Sequence, residues 1–427
     1  MLDIQYIRDH ADEVAEKSKQ KGYDVDIQQL LGFDKERREL IGQVEELRQQ
    51  RNELNSQTKG SKPSEDQIAK GKALRDQVTD LEHKLASIEK EYTILLKTVP
   101  NMPLQEVPVG ASEDQNVEVK KQGEPTKFDF TPKSHAEIAE AKGWIDKERA
   151  AKVAGSRFAY LKGDLVKLQF AIIQFVMDKL TDTEFLDAII KESNLKVSNK
   201  AFTPVLPPYM IRTEVYDAMD RLEPREDRYK LENDDQWLQG SAEHVLGSMH
   251  MKEDIPYDDL PVRYLGYATS FRREAGTYGK DTEGIFRMHQ FDKLEMESIT
   301  DETTGLDEHK FLVAIQEKLM QELQIPYRLL EKCTADIGKP NAKGMDIDAW
   351  LPGQNQYRET HTADYMTDYQ SRRMNLTYSK GLTHTNDATA FALGRTMIAV
   401  IENYQTAEGD VKIPMVLQPF MGGRAEI

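Results

Sequence analysis

The sequence predicts an α+β protein led by an antiparallel two-helix coiled-coil arm. Three observations carry this. Leucine repeats of seven residues run on both sides of a Gly/Pro/Ser turn in the first hundred residues. Helical periodicity stops at Pro100, and beyond it strand patterns dominate. Those strands lack the βαβ alternation of a doubly wound parallel sheet, so a mainly antiparallel sheet flanked by helices is expected.

The opening residues Ile4, Ile7, Asp9 and Val14 suit a short helical lead. In the first long segment Leu40, Leu47 and Leu54 recur every seventh residue, with Val44, Arg51 and Thr58 between them. In the second, Leu74, Leu81, Ile88 and Leu95 form one seam position and Val78, Leu85, Tyr92 and Val99 the other. Between them, residues 59–66 read as a turn, with Ser64 positioned to cap the second helix. Two helices of about 32 residues folding back on each other give an arm roughly 48 Å long. Such a hairpin serves as a spacer or oligomerisation element, or as a probe for a long ligand such as folded RNA. Lys70, Lys72 and Arg75 near the tip, with Arg48 and Arg51 opposite, are the candidate phosphate contacts. The expected division is an N-terminal domain over 1–100 with its arm at about 27–99, a linker over 101–127, and a second domain over 128–427. Pro100, Pro103, Pro108, Gly110, Gly123 and Pro125 mark the linker.

In the second domain Leu165 to Leu180 reads as a helix, and the prolines of residues 201–208 impose an extended run. Val262–Phe271 and Arg287–Met296 read as strands joined by a loop with Gly276, Tyr278, Gly279 and Gly284. Phe311–Leu323 is helical in pattern, residues 326–330 and 345–350 are strand-like, and Thr389–Tyr404 is a final helix.

Composition narrows the function. The 427 residues are 39% hydrophobic and 31% charged, ordinary for a globular chain of two to three domains. Cys333 is the one cysteine, so no disulfide framework or multi-thiolate metal site is available. No signal peptide and no apolar run of membrane-spanning length is expected, which favours a cytoplasmic setting without a membrane partner. The net charge of −17 disfavours nucleic acid on average, yet residues 27–100 hold 13 Lys/Arg and 13 Asp/Glu, so the arm is neutral. There is no P-loop, no G-x-G-x-x-G after a strand, no G-x-S-x-G and no H-E-x-x-H.

What remains is a charged hairpin: Phe271-Arg272-Arg273-Glu274-Ala275-Gly276, a loop, then Arg287-x-x-x-Phe291-x-x-x-Glu295. Strand alternation would put Arg272 with Glu274, and Arg287 with Phe291 and Glu295, as also His289 with Lys293. Arginine forks fit phosphate oxygens, phenylalanine stacks on a purine, and glutamate accepts from amino groups. A site for a polyphosphate with a flat base follows.

This hairpin resembles motif 2 of class II aminoacyl-tRNA synthetases. Pro207 resembles the dimer-interface motif 1, and Gly394-Arg395 resembles motif 3. With residues 271–282, Arg287–Glu295, Glu402-Asn-Tyr404, Pro100-Asn-Met-Pro, Val107-Pro-Val-Gly110 and the arm, the chain is identified as a member of the seryl-tRNA synthetase family, bacterial type. That resemblance implies ATP and L-serine as substrates, Mg²⁺ as metal with no zinc, and seryl-adenylate as the intermediate passed to the 3′ end of tRNA(Ser), with tRNA(Sec) an open second acceptor. It also implies a homodimer whose arm reaches tRNA on the other subunit.

The implied catalytic residues are Arg272, Glu274 and Arg395. Arg272 bridges the α-phosphate and the amino-acid carboxylate, Glu274 holds the adenine end, and Arg395 clamps the γ-phosphate. Arg273, Met288, Phe291, Glu359, Thr360, His361 and Thr362 complete the ATP site, with Glu359 and Thr362 as the magnesium ligands. Ser241, Ala242, Glu243, Glu295, Asp387 and Thr389, with Arg272, form the serine site. The chain departs from the family where Ser241 replaces threonine, Thr389 serine and Asp387 asparagine, where Thr360-His-Thr-Ala-Asp364 stands in the serine-rich stretch, and where Ala388 and Ala390 replace glycines. Activation of another small amino acid, loading of a carrier protein, or a non-catalytic coiled-coil RNA-binding role are the alternatives.

Overall fold

The computed structural model describes residues 1–57, 63–275, 281 and 283–427. Part of the turn expected over 59–66, Thr58 of the first seam, and Gly276, Tyr278 and Gly279 lie outside the described residues. The chain forms two compact units, residues 1–102 and 103–427.

In the first unit the short helices α1 (Ile4–Asp9) and α2 (Ala11–Gln20) precede the arm helices α3 (Ile27–Gln57) and α4 (Glu65–Thr98). At 31 and 34 residues these are about 46 and 51 Å long. Ser64 caps α4 in a reciprocal box with Gln67. Leu40, Val44, Leu74, Val78 and Tyr92 are buried along the seam. Leu47, Leu54, Leu81, Leu85 and Ile88 are half-covered, because two helices alone leave the sides of their seam open. At the base, Arg8 grips buried Asp34 with two 2.8 Å hydrogen bonds, and Arg37 lies 5.2 Å over the Tyr92 ring.

The second unit is built on eight strands: β1 (Val117–Gln122), β2 (Thr203–Val205), β3 (Val262–Phe271), β4 (Gln290–Thr300), β5 (Tyr327–Glu331), β6 (Lys343–Leu351), β7 (Gln356–Thr367) and β8 (His384–Ala392). Their spatial order is β1-β5-β6-β7-β8-β4-β3-β2, antiparallel at every step except the parallel pairing of β2 with β3. Helices α5 (Asp164–Thr181), α7 (Gly305–Glu322) and α8 (Leu393–Asn403) supply Leu168, Phe175, Phe311, Ile315, Met397 and Ile401 to a core shared with sheet residues such as Leu294, Met296 and Ile347. The one-turn helix α6 (Glu243–Leu246) belongs to the site described below. No described helix is long and apolar enough to cross a membrane.

Several elements differ from expectation. The expected linker contains β1, an exposed, lysine-bearing edge strand paired with β5. The helix expected from Thr389 divides: Thr389 to Ala392 continue strand β8, and the helix starts at Leu393. Alanines there suit either state locally, and pairing with β4 decides for the strand. The second hairpin strand starts at Gln290, so Arg287 to His289 lie outside it.

Between β3 and α7, Arg263 and Glu308 form a fully buried ion pair with two hydrogen bonds of 2.6 and 2.7 Å. Arg263 also donates to the Lys200 carbonyl, and Ser298 donates to Glu308. Removing one partner strands the other charge in the core, whereas removing both does not. Arg263→Met is therefore expected to cost about 3–5 kcal/mol in urea unfolding. Arg263→Met/Glu308→Leu should recover most of that loss.

Candidate active site

The helices cover one face of the sheet, and the opposite face carries charge. Register sets its pattern: Thr389 of β8 pairs with Glu295 of β4, Asp387 with Glu297, and on β3 Gly266 faces Glu295 and Ala268 faces Lys293. The small residues make room for α6. A Cβ on Gly266 would stand 2.5 Å from a side-chain methyl of Leu246, so glycine lets that end of α6 settle onto the sheet without displacing the leucine.

A bulge at Thr360 of β7 pairs Asp348 with Glu359 and Ile347 with His361. The extra residue turns Glu359 to the cleft side with Thr362 and Asp364. His361 faces the other way, its ring 5.3 Å from that of Phe391 and its pKa pushed down to about 3 by burial. The Thr360 hydroxyl likewise turns inward, to the Ile347 carbonyl.

The nucleotide half of the cleft collects most of the expected residues. Arg272, just past β3, donates to the Gly240 carbonyl at 2.9 Å, and its guanidinium lies 5.3 Å from the Phe291 ring. Glu274 adopts φ +51° and pairs with Arg287, so a backbone turn aims it rather than strand alternation. Met288 forms part of the wall. Arg395, in the first turn of α8, donates to the Glu359 carbonyl at 2.9 Å and carboxylate at 2.8 Å, and stacks on Phe286 at 4.7 Å. Burial pushes the Glu359 carboxyl up, but Arg395, then Lys332 and Arg272, hold it below its ordinary value. The α8 N-terminus adds a partial positive charge here. Arg273 is placed elsewhere: it bonds the Arg228 carbonyl and stacks 4.6 Å from Tyr229, outside the cleft.

The adjoining half is a buried charge cluster. Lys293 donates to Ser241 at 3.1 Å and pairs with Glu295. Arg221 lies 3.2 Å from Glu243 and 3.3 Å from Asp387. Carboxylate oxygens of Glu243, Glu295 and Asp387 come within 4.8 Å of one another, with Arg221 and Lys293 supplying positive charge. Environment divides them. Burial raises Glu243, but Arg221, then His244 and Lys293, overturn that and hold it ionised well below the usual range. Burial pushes Glu295 up to about 7, and Glu297 and Asp387 well up, each worsened by neighbouring carboxylates. Glu243 and Thr389 face the cleft; Ser241, Ala242, Glu295 and Asp387 form the layer beneath it.

Sequence reasoning left Arg221, Phe286 and Asp364 without a role. Arg221 sits in no motif, in a turn after Asp220 at φ +57°. Phe286 carried a signal, as an aromatic beside Arg287 within the hairpin. In the first unit, Arg48 is engaged by Glu82 at 2.7 Å, Arg51 is half-buried, and Lys70, Lys72 and Arg75 are exposed.

The cleft thus combines a stacking phenylalanine, arginines beside a helix N-terminus and a firmly ionised carboxylate. That set can bind a nucleoside polyphosphate next to an ammonium group. Family models place the same parts in context. Residues 1–103 match the seryl-tRNA synthetase N-terminal domain, and residues 228–404 match the tRNA synthetase class II core domain (G, H, P, S and T). The chain is 37% identical over 438 residues to a serine–tRNA ligase of Nitrosopumilus maritimus, covering 100% of both. It superposes with a TM-score of 0.88 and 34% identity on the seryl-tRNA synthetase of Pyrococcus horikoshii complexed with ATP, over 100% of this chain and 99% of that one. The cytoplasmic serine–tRNA ligase of Naegleria fowleri, solved with AMP, matches at 0.83 and 27% identity over 97% and 95%. On this full-length similarity, the chain belongs to the seryl-tRNA synthetase family of class II aminoacyl-tRNA synthetases.

Proposed function

We propose that the protein is a serine–tRNA ligase: it activates L-serine with ATP and transfers the seryl group to the 3′ end of tRNA(Ser). The observation that carries this is the convergence of Arg272 on Phe291 and of Arg395 on Glu359 within one cleft that continues to Glu243.

In the first step the serine carboxylate attacks the α-phosphorus of ATP, forming seryl-adenylate and releasing pyrophosphate. Phe291 stacks on adenine, Met288 walls it, and Glu274 accepts from its amino group. Arg272 lies between the two halves of the cleft, where one fork reaches both the α-phosphate and the attacking carboxylate. Arg395 and the α8 N-terminus hold the outer phosphates. Glu243, kept ionised, takes the serine ammonium, with Ser241 and Glu295 behind it and Thr389 beside the side chain. Most of the acceleration comes from positioning and from charge fixed in advance of the reaction. In the second step the terminal adenosine hydroxyl attacks the adenylate carbonyl and AMP leaves.

The donors fit Mg²⁺, which favours hard oxygen ligands: Glu359 is ionised at the cleft edge, and Thr362 lies on the same face of β7. A bound Mg²⁺ would neutralise phosphate charge there. A homodimer is supported by exposed apolar Leu206, Tyr209 and Met210 around the Pro207 segment. For tRNA, the exposed Lys70, Lys72 and Arg75 offer backbone contacts that read shape more than bases.

Arg272→Ala is expected to lower serine-dependent ATP–pyrophosphate exchange by at least about 10²–10³-fold. Deleting residues 35–95 should leave exchange intact and abolish charging of tRNA(Ser); charging by the truncated protein would refute the role of the arm. Chelation by EDTA should stop exchange. Glu359→Gln should raise the Mg²⁺ concentration for half-maximal rate, read from a magnesium titration.

A further inference from the structure

We infer that Arg221 and Asp364 recognise the side-chain hydroxyl of the amino acid, with Arg221 Nε as donor and Asp364 Oδ1 as acceptor. The inference rests on the amino-acid-activating role proposed above and extends it to residues that role leaves unused.

Both side chains line the cleft; Asp364 is buried and the Arg221 side chain is 14% exposed. Among the described residues, neither Arg221 Nε nor Asp364 Oδ1 has a hydrogen-bond partner. Arg221 Nε does stand 3.2 Å from Glu243 Oε1, but at an angle that makes an ion pair without a hydrogen bond. A buried donor and a buried acceptor that lack hydrogen bonds are costly until something supplies them. A hydroxyl accepts and donates at a single oxygen, which is the chemistry these two atoms lack. A methyl group in its place satisfies neither.

Each partner is fixed from behind. The Arg221 fork reaches Asp387 and Asn341 at 3.3 Å, and its carbonyl accepts from Arg228 at 3.2 Å. The preceding Asp220 is tied to Tyr369, Lys339 and Arg373, which locks the turn. Asp364 is seated by register: it pairs with Gly344 on β6, where a Cβ would come 2.7 Å from Asp364 Oδ1. Glycine at 344 is what gives that carboxylate its room. The ammonium subsite around Glu243 adjoins Arg221, so an amino acid held there would present a short side chain toward this pair.

The test is steady-state ATP–pyrophosphate exchange with serine, threonine and alanine, on the wild-type protein and on Asp364→Ala, Asp364→Asn and Arg221→Lys. Asp364→Ala should reduce the serine-over-alanine ratio of kcat/KM by about 10- to 100-fold, mainly through the KM for serine. Asp364→Asn keeps a carbonyl acceptor and should recover most of the ratio. Arg221→Lys retains charge against Glu243 and Asp387 but loses the fork, and should lower the ratio even if Asp364→Ala fails to fold. A wild-type ratio in both Asp364→Ala and Arg221→Lys would overturn the inference while leaving serine activation standing. Wild-type exchange with threonine in place of serine would retire serine as substrate, and a threonine-over-alanine ratio lowered by Asp364→Ala would still uphold the hydroxyl pair.

Discussion

Charge balance beneath the cleft is the constraint on which the second unit depends. Glu243, Glu295, Glu297 and Asp387 crowd together beneath the cleft, with Arg221 and Lys293 as the cations that pair with them. Ionising all four would cost far more than folding supplies, so the environment sorts them. Arg221 above all holds Glu243 ionised and Lys293 pairs with Glu295, while burial still pushes Glu295, Glu297 and Asp387 upward. The result is a firm negative charge at this end of the cleft, backed by carboxyls pushed toward their neutral form. An incoming ammonium group is what such a surface lacks.

The rest of the sheet makes that face possible. Its other side is closed by α5, α7 and α8, so the strands can alternate hydrocarbon on one face and charge on the other without exposing the core. Interruptions of the ladder then do the aiming. The bulge at Thr360 brings Glu359 to the cleft and sends His361 into the core. A second bulge, at Ala390, lies where β8 ends against the start of α8 and Arg395. The turn at Glu274 does for a carboxylate what alternation could not. Glycine at 266 and 344 clears space for α6 and for Asp364.

The sequence made the arm legible because a seven-residue repeat is a local signal that pairing only confirms. Leu74, Val78 and Tyr92 are buried where the seam places them. Strand β3 was equally clear, with Val262 and Phe271 as its ends. The sequence pattern places Thr389 in a helix because alanine-rich segments take their state from neighbours that sequence does not display. The motif residues Arg272, Phe291, Glu359 and Arg395 were legible through resemblance, and the structure brings them together in one cleft. Arg273 and His361 share those motifs but turn away from it. Arg221 is illegible in the sequence: it becomes part of the site only because a turn at Asp220 delivers it to Glu243 and, across 166 residues of chain, to Asp387.

The most direct measurement is ATP–pyrophosphate exchange by the full-length protein with serine, threonine, alanine and cysteine run side by side. Exchange with serine well above the other three is the predicted result, and it would establish both the activation chemistry and the fitness of Ser241, Asp387 and Thr389 for serine. Exchange with none of them would contradict the account and leave the cleft to a binding role.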